Sequence, residues 1–498
     1  MKKINLIIVL FVFIIGVSCK KSFFDVNTSP NQPLTASYQL VLPAALNSIA
    51  TNVSNGLEFS KYWMGFWAVS GGYAPNITEV TYKFSNSYYQ GVWAEFYYAI
   101  KNLDYIEKSA EAIRPDKDVF YAGIAKALKV YCYHNLVDLY GNVPYSQALQ
   151  IEKYPTPKYD DAAAIYADLF VQLDSARTLI SSFDDTKLVG PTANSDIMFQ
   201  GKQSLWLKFI NTLELRLLLR YSEVGTKPSF YAKELAIVNN DANGFLGVGQ
   251  SAMANPGFSN DADAHENPFY FDYGYSAAGN LASNYGYYRA NSYAINFYEN
   301  YNDDRIFFFY APYKGSSFAG NDYGVQGLPN KVISGIGLGE GSIIGSATQS
   351  SPVLTSFESL FIQAEAAQRG LLTGGDYKAL FKSALDESFV YCGYGSDPTY
   401  ASDYYGQKDE TVNIDISTDP LTTIMTQKWA SMNVINPLEV YADYRRTKIP
   451  ADVPGSINPS AGDIPVRLLY PQTEINTNPN SVKAQGNVTL YTKIFWQP

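Results

Sequence analysis

Residues 356–385 have the sequence SFESLFIQAEAAQRGLLTGGDYKALFKSAL, which is typical of two helices joined by a tight turn. Thr355 and Glu358 stand in capping-box spacing, and apolar side chains then recur every three or four residues. Gly370 ends the first helix, and Asp376 can cap a second helix with the same apolar spacing. Two antiparallel helices with apolar faces form a tetratricopeptide-like hairpin, and we predict that fold for this stretch.

The same helical pattern recurs along the chain. It covers residues 116–140, 160–182, 203–221 and a stretch that begins at Asp419. These segments share a shape but no strict sequence period. Residues 224–350 differ, because they are rich in Gly, Asn, Ser and Tyr and show little periodicity. We therefore predict a mostly all-α protein, a superhelix of tetratricopeptide-like hairpins with a loop-rich insertion at about 224–350.

The composition excludes several classes of function. The chain has 498 residues, 46% of them hydrophobic, which is enough to bury a large core. Its net charge of −10 would repel a phosphate backbone, so we expect no nucleic-acid partner. Only His134 and His265 are histidines, and the sequence contains no P-loop, GxSxG elbow or dinucleotide fingerprint. We predict no catalytic residue, no metal ligands and no cofactor, and we expect Cys132 and Cys392 to be buried free thiols.

The N-terminus is typical of a bacterial lipoprotein. Two lysines precede a 14-residue apolar stretch, and Cys19 follows it closely. We predict a signal peptide over residues 1–18, lipidation of Cys19, a tether over about 20–35 and one domain over 19–498. An ordinary secretory leader with an incidental cysteine is the alternative. No later segment approaches about 18 consecutive apolar residues, so we expect the body to be anchored to a membrane rather than embedded in it.

Aromatic residues concentrate in two segments that are candidate ligand-binding surfaces. Residues 59–98 hold 14 Phe, Tyr or Trp, and residues 251–300 hold 12. Tyrosine and tryptophan combine an apolar face with a polar edge, which suits stacking on sugars or on peptide side chains. The candidate binding residues are Trp63, Trp67, Tyr73, Tyr82, Trp93, Tyr270, Tyr273, Tyr275, Tyr285, Tyr287, Tyr288 and Arg289.

Each aromatic segment also has a structural explanation. Trp63 and Trp67 are four residues apart, so the first segment could be a helix face packed in the core. The tyrosines of the second segment lack helical spacing, and we predict a binding surface there. In that surface, stacking rings would supply affinity and Arg289 would orient the ligand.

Three polar motifs are weaker signals. Residues 239–244 resemble the start of a calcium loop, but Gln250 stands where a bidentate Glu is needed, so we predict a turn. Residues 261–266 are rich in acidic side chains, and we predict a solvated loop. Asp443 lies beside two arginines, and we predict a structural ion pair rather than a catalytic group.

Five motifs together resemble a known family. They are CKKSFFDVNTSPN at 19–31, DLYGNVPYSQAL at 138–149, the hairpin at 356–385, QKW at 427–429 leading to EVYADYRRTKIP at 439–450, and RLLYPQTEINTNPNSV at 467–482. In this order they are similar to the SusD/RagB-type nutrient-binding outer-membrane lipoproteins. The resemblance implies a tetratricopeptide-like fold, capture of glycans or peptides outside the cell, and a SusC-like TonB-dependent transporter as partner. It implies no catalysis, and it supplies no ligand-binding residues.

We therefore predict a non-catalytic protein, lipid-anchored to the cell outer membrane and facing the exterior. It would capture an oligosaccharide or peptide and deliver it to the transporter. A surface glycoside hydrolase using paired carboxylates is one alternative. A helical-repeat adaptor that binds only protein is the other.

Overall fold

The computed structural model describes residues 37–55, 57–113, 118–183 and 195–498. The predicted signal peptide, Cys19 and the tether lie outside the described residues. Helices dominate the remainder and the strands are short, so the prediction of a mostly α-helical, tetratricopeptide-like fold is confirmed. Within these ranges, no helix is both long enough and apolar enough to cross a membrane.

The longest helices lie in the N-terminal half of the chain. The first helices are α1 (Tyr38–Ser54), α2 (Glu58–Trp63), α3 (Ile77–Val80), α4 (Gln90–Ile113), α5 (Asp118–Tyr140), α6 (Ala162–Ser181), α7 (Gln203–Arg220) and α8 (Tyr231–Asn240). Short helices follow: α9 (Pro268–Tyr273), α10 (Ser283–Tyr287), α11 (Ser292–Asn300) and α12 (Ile306–Phe309). The last helices are α13 (Ser356–Gln368), α14 (Tyr377–Phe389), α15 (Thr399–Tyr405), α16 (Pro420–Ser431), α17 (Pro437–Thr447), α18 (Gln472–Thr477) and α19 (Pro479–Lys483).

The strands are short and pair across long stretches of sequence. They are β1 (Trp67–Val69), β2 (Val143–Pro144), β3 (Tyr159–Asp160), β4 (Ala252–Ala254), β5 (Tyr288–Ala290), β6 (Tyr310–Ala311), β7 (Gly335–Ile336) and β8 (Ser351–Leu354). In the described part of the chain they form four two-stranded antiparallel ladders, β1–β5, β2–β3, β4–β8 and β6–β7.

Side-chain caps fix the helix starts that the sequence predicts. The Thr355 hydroxyl accepts a hydrogen bond from the backbone N–H of Glu358 at 3.3 Å, and the Asp376 carboxylate accepts one from the N–H of Lys378 at 2.9 Å. Asp419 caps α16 in the same way. Consecutive helices then pack side by side, α4 on α5, α5 on α6, α6 on α7 and α13 on α14. This is the helix-hairpin scaffold that the sequence predicts.

A buried ionic cluster lies inside the scaffold. Arg220 donates to Asp138 at 3.0 Å and to Glu439 at 2.6 Å, and both carboxylates are buried. Burial opposes ionisation of Glu439, but the nearby arginines and Lys428 outweigh it and hold the pKa of that carboxyl well below its usual range. Asp443 pairs with Arg446 at 2.8 Å and with Lys428 at 2.7 Å, so the predicted structural ion pair is confirmed.

The two internal cysteines play no part in this cluster. Cys132 and Cys392 are free and buried, as predicted. Burial raises the pKa of both thiols, which makes them poor nucleophiles.

Candidate functional site

The pairing of β1 with β5 brings the two aromatic segments together. Trp67 lies opposite Ala290, and Val69 lies opposite Tyr288. Just beyond the ladder, the N–H of Gly71 donates to the carbonyl of Leu328 at 3.0 Å. Two strands of three residues therefore join residues that lie more than two hundred positions apart in the sequence.

Gly71 makes the close approach beyond β1 possible. A β-carbon at this position would lie 1.9 Å from the carbonyl oxygen of Gly327, far inside van der Waals contact. Only glycine fits where the backbones meet at this distance. The loop that carries Tyr73 is thereby held against the segment that ends at Leu328.

Five of the predicted binding residues lie in the core instead of on a surface. They are Trp63, Trp67, Tyr82, Trp93 and Tyr273, and each is at most 5% exposed. The Trp67 ring meets the Tyr273 ring edge-on at 5.1 Å, and the Tyr273 hydroxyl donates to Glu58. A ligand in solution cannot stack on rings that are this deeply buried. We therefore correct the prediction for these five residues, which pack the protein behind the surface.

The other predicted tyrosines keep some exposure to solvent and, together with Tyr88, form a band of neighbouring groups on the surface. We call this band the tyrosine face and define it by six partly exposed rings: Tyr73, Tyr88, Tyr270, Tyr275, Tyr285 and Tyr287. Tyr73 and Tyr275 are the most open, at 45% and 38% exposure. The ring of Tyr73 meets that of Tyr287 at 5.0 Å, and Tyr287 meets Tyr288 at 5.0 Å, both edge-on. Tyr288 in turn contacts Trp67, so the band is braced by the core.

A carboxylate on α3 lies beside the tyrosine face. Glu79 is partly buried, and burial together with the negative charge of Glu58 raises its pKa to about 7. Burial and then the charge of Glu79 raise the pKa of Tyr287 to about 12 and also raise that of Tyr88. Asn76 caps α3 through Thr78 and donates to the Tyr88 hydroxyl at 2.6 Å. The face therefore combines flat rings with an acceptor and an amide at its edge.

Arg289 braces the backbone of the face. Its Nη1 donates to the carbonyl of Tyr288 at 2.9 Å and to that of Tyr285, and its guanidinium lies 5.4 Å from the centre of the Tyr285 ring. It is only 6% exposed, and burial lowers its pKa. These contacts hold the turn that carries the tyrosines, whereas the sequence predicted that Arg289 orients the ligand.

A polar cavity of about 410 Å³ opens between α1, the start of α4 and α9. Its lining includes Asn52, Asn55, Tyr89, Glu95 and Asp272, and Asn55 donates to Asp272 at 2.6 Å. The ring of Tyr89 meets that of Tyr88 edge-on at 5.5 Å, so the cavity adjoins the tyrosine face. The volume falls within the range of small-ligand sites.

Lys61 lies deep behind the same wall. It is fully buried, and its ammonium lies 4.4 Å from the centre of the Trp67 ring and 4.9 Å from that of Tyr273. Burial lowers its pKa to about 8, although the charges of Glu58 and Asp272 oppose that shift. The core beneath the tyrosine face is therefore not purely apolar, because it contains the Lys61 ammonium together with the opposing charges of Glu58 and Asp272.

Sequence reasoning missed three contributors to the site. Tyr88 could have been predicted, because it falls in the aromatic-rich segment and has polar neighbours rather than helical spacing. Asn76 and Glu79 could not be singled out in the sequence, because single Asn and Glu residues are common on protein surfaces.

The two remaining polar motifs are local structures. Residues 242–243 form the predicted turn, and Asn243 donates its N–H to Asp241 at 2.8 Å. The 261–266 stretch is exposed except for Ala262 and Glu266, and Glu266 is buried. His265 lies 3.1 Å from Asp261, which makes a surface pair.

Comparison with known proteins finds a family model and solved structures that match this architecture. A SusD-like family model, described as "Starch-binding associating with outer membrane", matches residues 30–471. A chitin-binding SusD homolog from Flavobacterium johnsoniae is similar with a TM-score of 0.75 at 21% identity, over 91% of this chain and 98% of that one. A SusD-like protein from Bacteroides thetaiotaomicron has a TM-score of 0.71 at 22% identity, over 92% and 98%. A chitin-binding protein has a TM-score of 0.72 at 23% identity, over 92% and 99%. No curated protein matches the chain.

Proposed function

We propose that this chain, which belongs to the SusD-like family, captures an extracellular oligosaccharide on its tyrosine face and passes it on without catalysing a reaction. The observation that carries the proposal is the tyrosine face itself. Six partly exposed tyrosines lie near one another where two distant segments meet, and the rings of Tyr73 and Tyr287 are in contact. Monomeric proteins seldom leave such a patch uncovered unless something binds to it.

The chemistry of the face suits a carbohydrate. Sugar rings present apolar C–H faces that stack on aromatic rings and hydroxyl groups that hydrogen bond at the rim. Tyr73 and Tyr287 offer the stacking surface, and Asn76 and Glu79 offer a donor and an acceptor beside it. The family description names starch, and two of the similar structures bind chitin, which supports a glycan over a peptide.

The first experiment asks what the protein retains and whether it stays intact. The purified protein is incubated with a mixed library of oligosaccharides and peptides, and the retained molecules are identified by mass spectrometry. Intact oligosaccharides are the expected result. Protein-dependent cleavage products would support the hydrolase, with Glu79 and Glu58 as its carboxylates. Retention of peptides alone would refute the glycan assignment.

Substitution then locates the site. Replacing Tyr73 and Tyr287 together by alanine should weaken binding of the retained oligosaccharide by about ten- to a hundredfold, because each stacked ring contributes about 1 kcal/mol. Tyr98→Ala is the matched control, since Tyr98 is 61% exposed on α4 and makes no ring contact with the tyrosine face. Equal loss in the control, or unchanged affinity in the double variant, contradicts the assignment.

The proposal also includes a membrane anchor and a transporter partner. A signal peptide over residues 1–18 and acyl chains on Cys19 would hold the domain on the outer membrane, facing the exterior, beside a SusC-like TonB-dependent transporter. Cys19→Ala should release the protein from the membrane fraction. A tagged wild-type protein should co-purify a transporter of this type from solubilised outer membranes, and its absence from that eluate would contradict the partnership.

A further inference from the structure

Three carboxylates from three consecutive helices converge away from the tyrosine face. Asp174 lies on α6, Glu214 on α7 and Glu234 on α8, and one oxygen of each lies within 4.8 Å of the other two. Glu214 is fully buried, and Glu234 is 2% exposed. The side chain of Asp174 is 29% exposed, so the group has one side open to solvent.

The neighbouring cations compensate only part of this charge. Arg177 pairs with Glu214 and, at 2.7 Å, with Asp174, while its Nε lies 3.3 Å from a fourth carboxylate, Asp241. Lys233 pairs with Asp174 at 3.2 Å and with Glu234 at 2.9 Å. Two cations therefore face four carboxylates, and two negative charges are left over.

Two carboxylate oxygens in the group have no donor. Glu214 Oε1 and Glu234 Oε2 are buried and accept no hydrogen bond from any residue in the part of the chain that the structure describes. A buried polar oxygen without a partner is costly, and a buried charge without one costs more. The group needs either a proton or a further cation.

The chemistry of the three ligands favours a cation, and their number favours calcium. Carboxylate oxygens are the ligands of hard divalent ions, and the group contains no His or Cys. Mg²⁺ is usually held by one or two carboxylates and keeps several waters, whereas Ca²⁺ takes more carboxylate oxygens in a flexible geometry. One oxygen from each of the three carboxylates lies within 4.8 Å of the other two, which is compatible with a shared Ca²⁺.

We propose that Asp174, Glu214 and Glu234 bind one Ca²⁺, which links α6, α7 and α8 of the helical scaffold. The ion neutralises the two excess charges and gives Glu214 Oε1 and Glu234 Oε2 a partner. Water completes its coordination from the open side beside Asp174. No local sequence pattern marks this site, because each helix supplies a single ligand and the three residues lie 20 to 60 positions apart.

The site is tested by calcium titration of the purified protein after chelator treatment. Isothermal titration calorimetry should give one Ca²⁺ per chain, and calcium should raise the thermal unfolding midpoint. Glu234→Gln and Asp174→Asn should each weaken calcium binding at least tenfold, because each removes one ligand. Asp174 lies at the rim, so its variant keeps the core intact if Glu234→Gln fails to fold.

The control is Asp403→Asn, which removes an exposed carboxylate elsewhere on the surface. It should bind calcium as the wild type does, and equal weakening would mean non-specific surface binding. Absence of stoichiometric binding by the wild type overturns the proposal. The proposal is also overturned if the thermal unfolding midpoint of Glu214→Gln exceeds that of the wild type by the same amount with and without calcium. That result would assign a shared proton, rather than a cation, to the group.

Discussion

Glu79 provides the sharpest test of the electrostatics at the tyrosine face. Burial and the charge of Glu58 raise its pKa from the ordinary 4.5 to about 7. A raised carboxyl pKa means that the folded state holds a proton that the unfolded state has already released. The contribution of Glu79 to stability is therefore complete below pH 4.5 and is lost as the pH rises through about 7.

The size of the effect follows from the shift. A rise from 4.5 to about 7 corresponds to about 3 kcal/mol between the two protonation states. Glu79 keeps some contact with solvent, which screens its charge, so we take about 2 kcal/mol as the penalty at alkaline pH. Glu79→Gln keeps the shape of the side chain and removes the charge. Relative to the wild type, the free energy of unfolding of the variant should be about 2 kcal/mol higher at pH 8.5 and nearly unchanged at pH 4.5.

Urea unfolding at the two pH values measures this difference. For a chain of this length the m value is on the order of 4 kcal/mol/M, so the midpoint of Glu79→Gln should rise by about 0.5 M at pH 8.5. Glu152→Gln is the control, because Glu152 is exposed on a loop and its substitution should shift neither midpoint. An equal shift of the Glu79→Gln midpoint at both pH values would refute the argument, since only a titrating carboxyl gives a pH-dependent difference.

Three further predictions concern the scaffold. Glu439→Gln should destabilise the protein by about 3 kcal/mol in urea unfolding, because it leaves buried arginines without their partner, and an unchanged midpoint would contradict the ionic cluster. Gly71→Ala should lower both the thermal midpoint and oligosaccharide retention, since its β-carbon would collide with Gly327. Unchanged retention would show that the loop carrying Tyr73 is not part of the binding site. A thiol reagent, followed by mass spectrometry, should modify Cys132 and Cys392 only in urea, and labelling of the folded protein would contradict their burial.

Much of the helical scaffold could be predicted because its signals are local. A cap such as Thr355 or Asp376 and the apolar spacing that follows it are determined by residues within one or two turns. The helix at Asp118–Tyr140 ends at the predicted residue for the same reason. The sequence therefore predicted the fold class and the positions of these helices, whereas α1 and α4 were not among the predicted segments.

The binding surface could be predicted only in part. Trp63 and Trp67 are buried, but they do not share the helix face that their spacing suggested, because Trp63 ends α2 and Trp67 begins β1. Tyr273 has no such spacing and looked like a surface residue, yet it is 2% exposed because α9 packs it against Trp67. Burial of this kind comes from contacts between distant segments, and the local pattern around Tyr273 contains no record of them.

The motifs that identify the family do not identify the ligand, because their residues belong to the buried scaffold. Asp138, Glu358, Lys428 and Glu439 come from three of the five motifs, and all four are buried partners in the ionic cluster around Arg216 and Arg220. Buried charges need specific partners at fixed distances, so these positions constrain the scaffold. The tyrosine face lies in loops and two short helices, α9 and α10, outside those motifs, where side chains can change without breaking the cluster. Ligand identity must therefore be determined on that face, by retention and by substitution of its tyrosines.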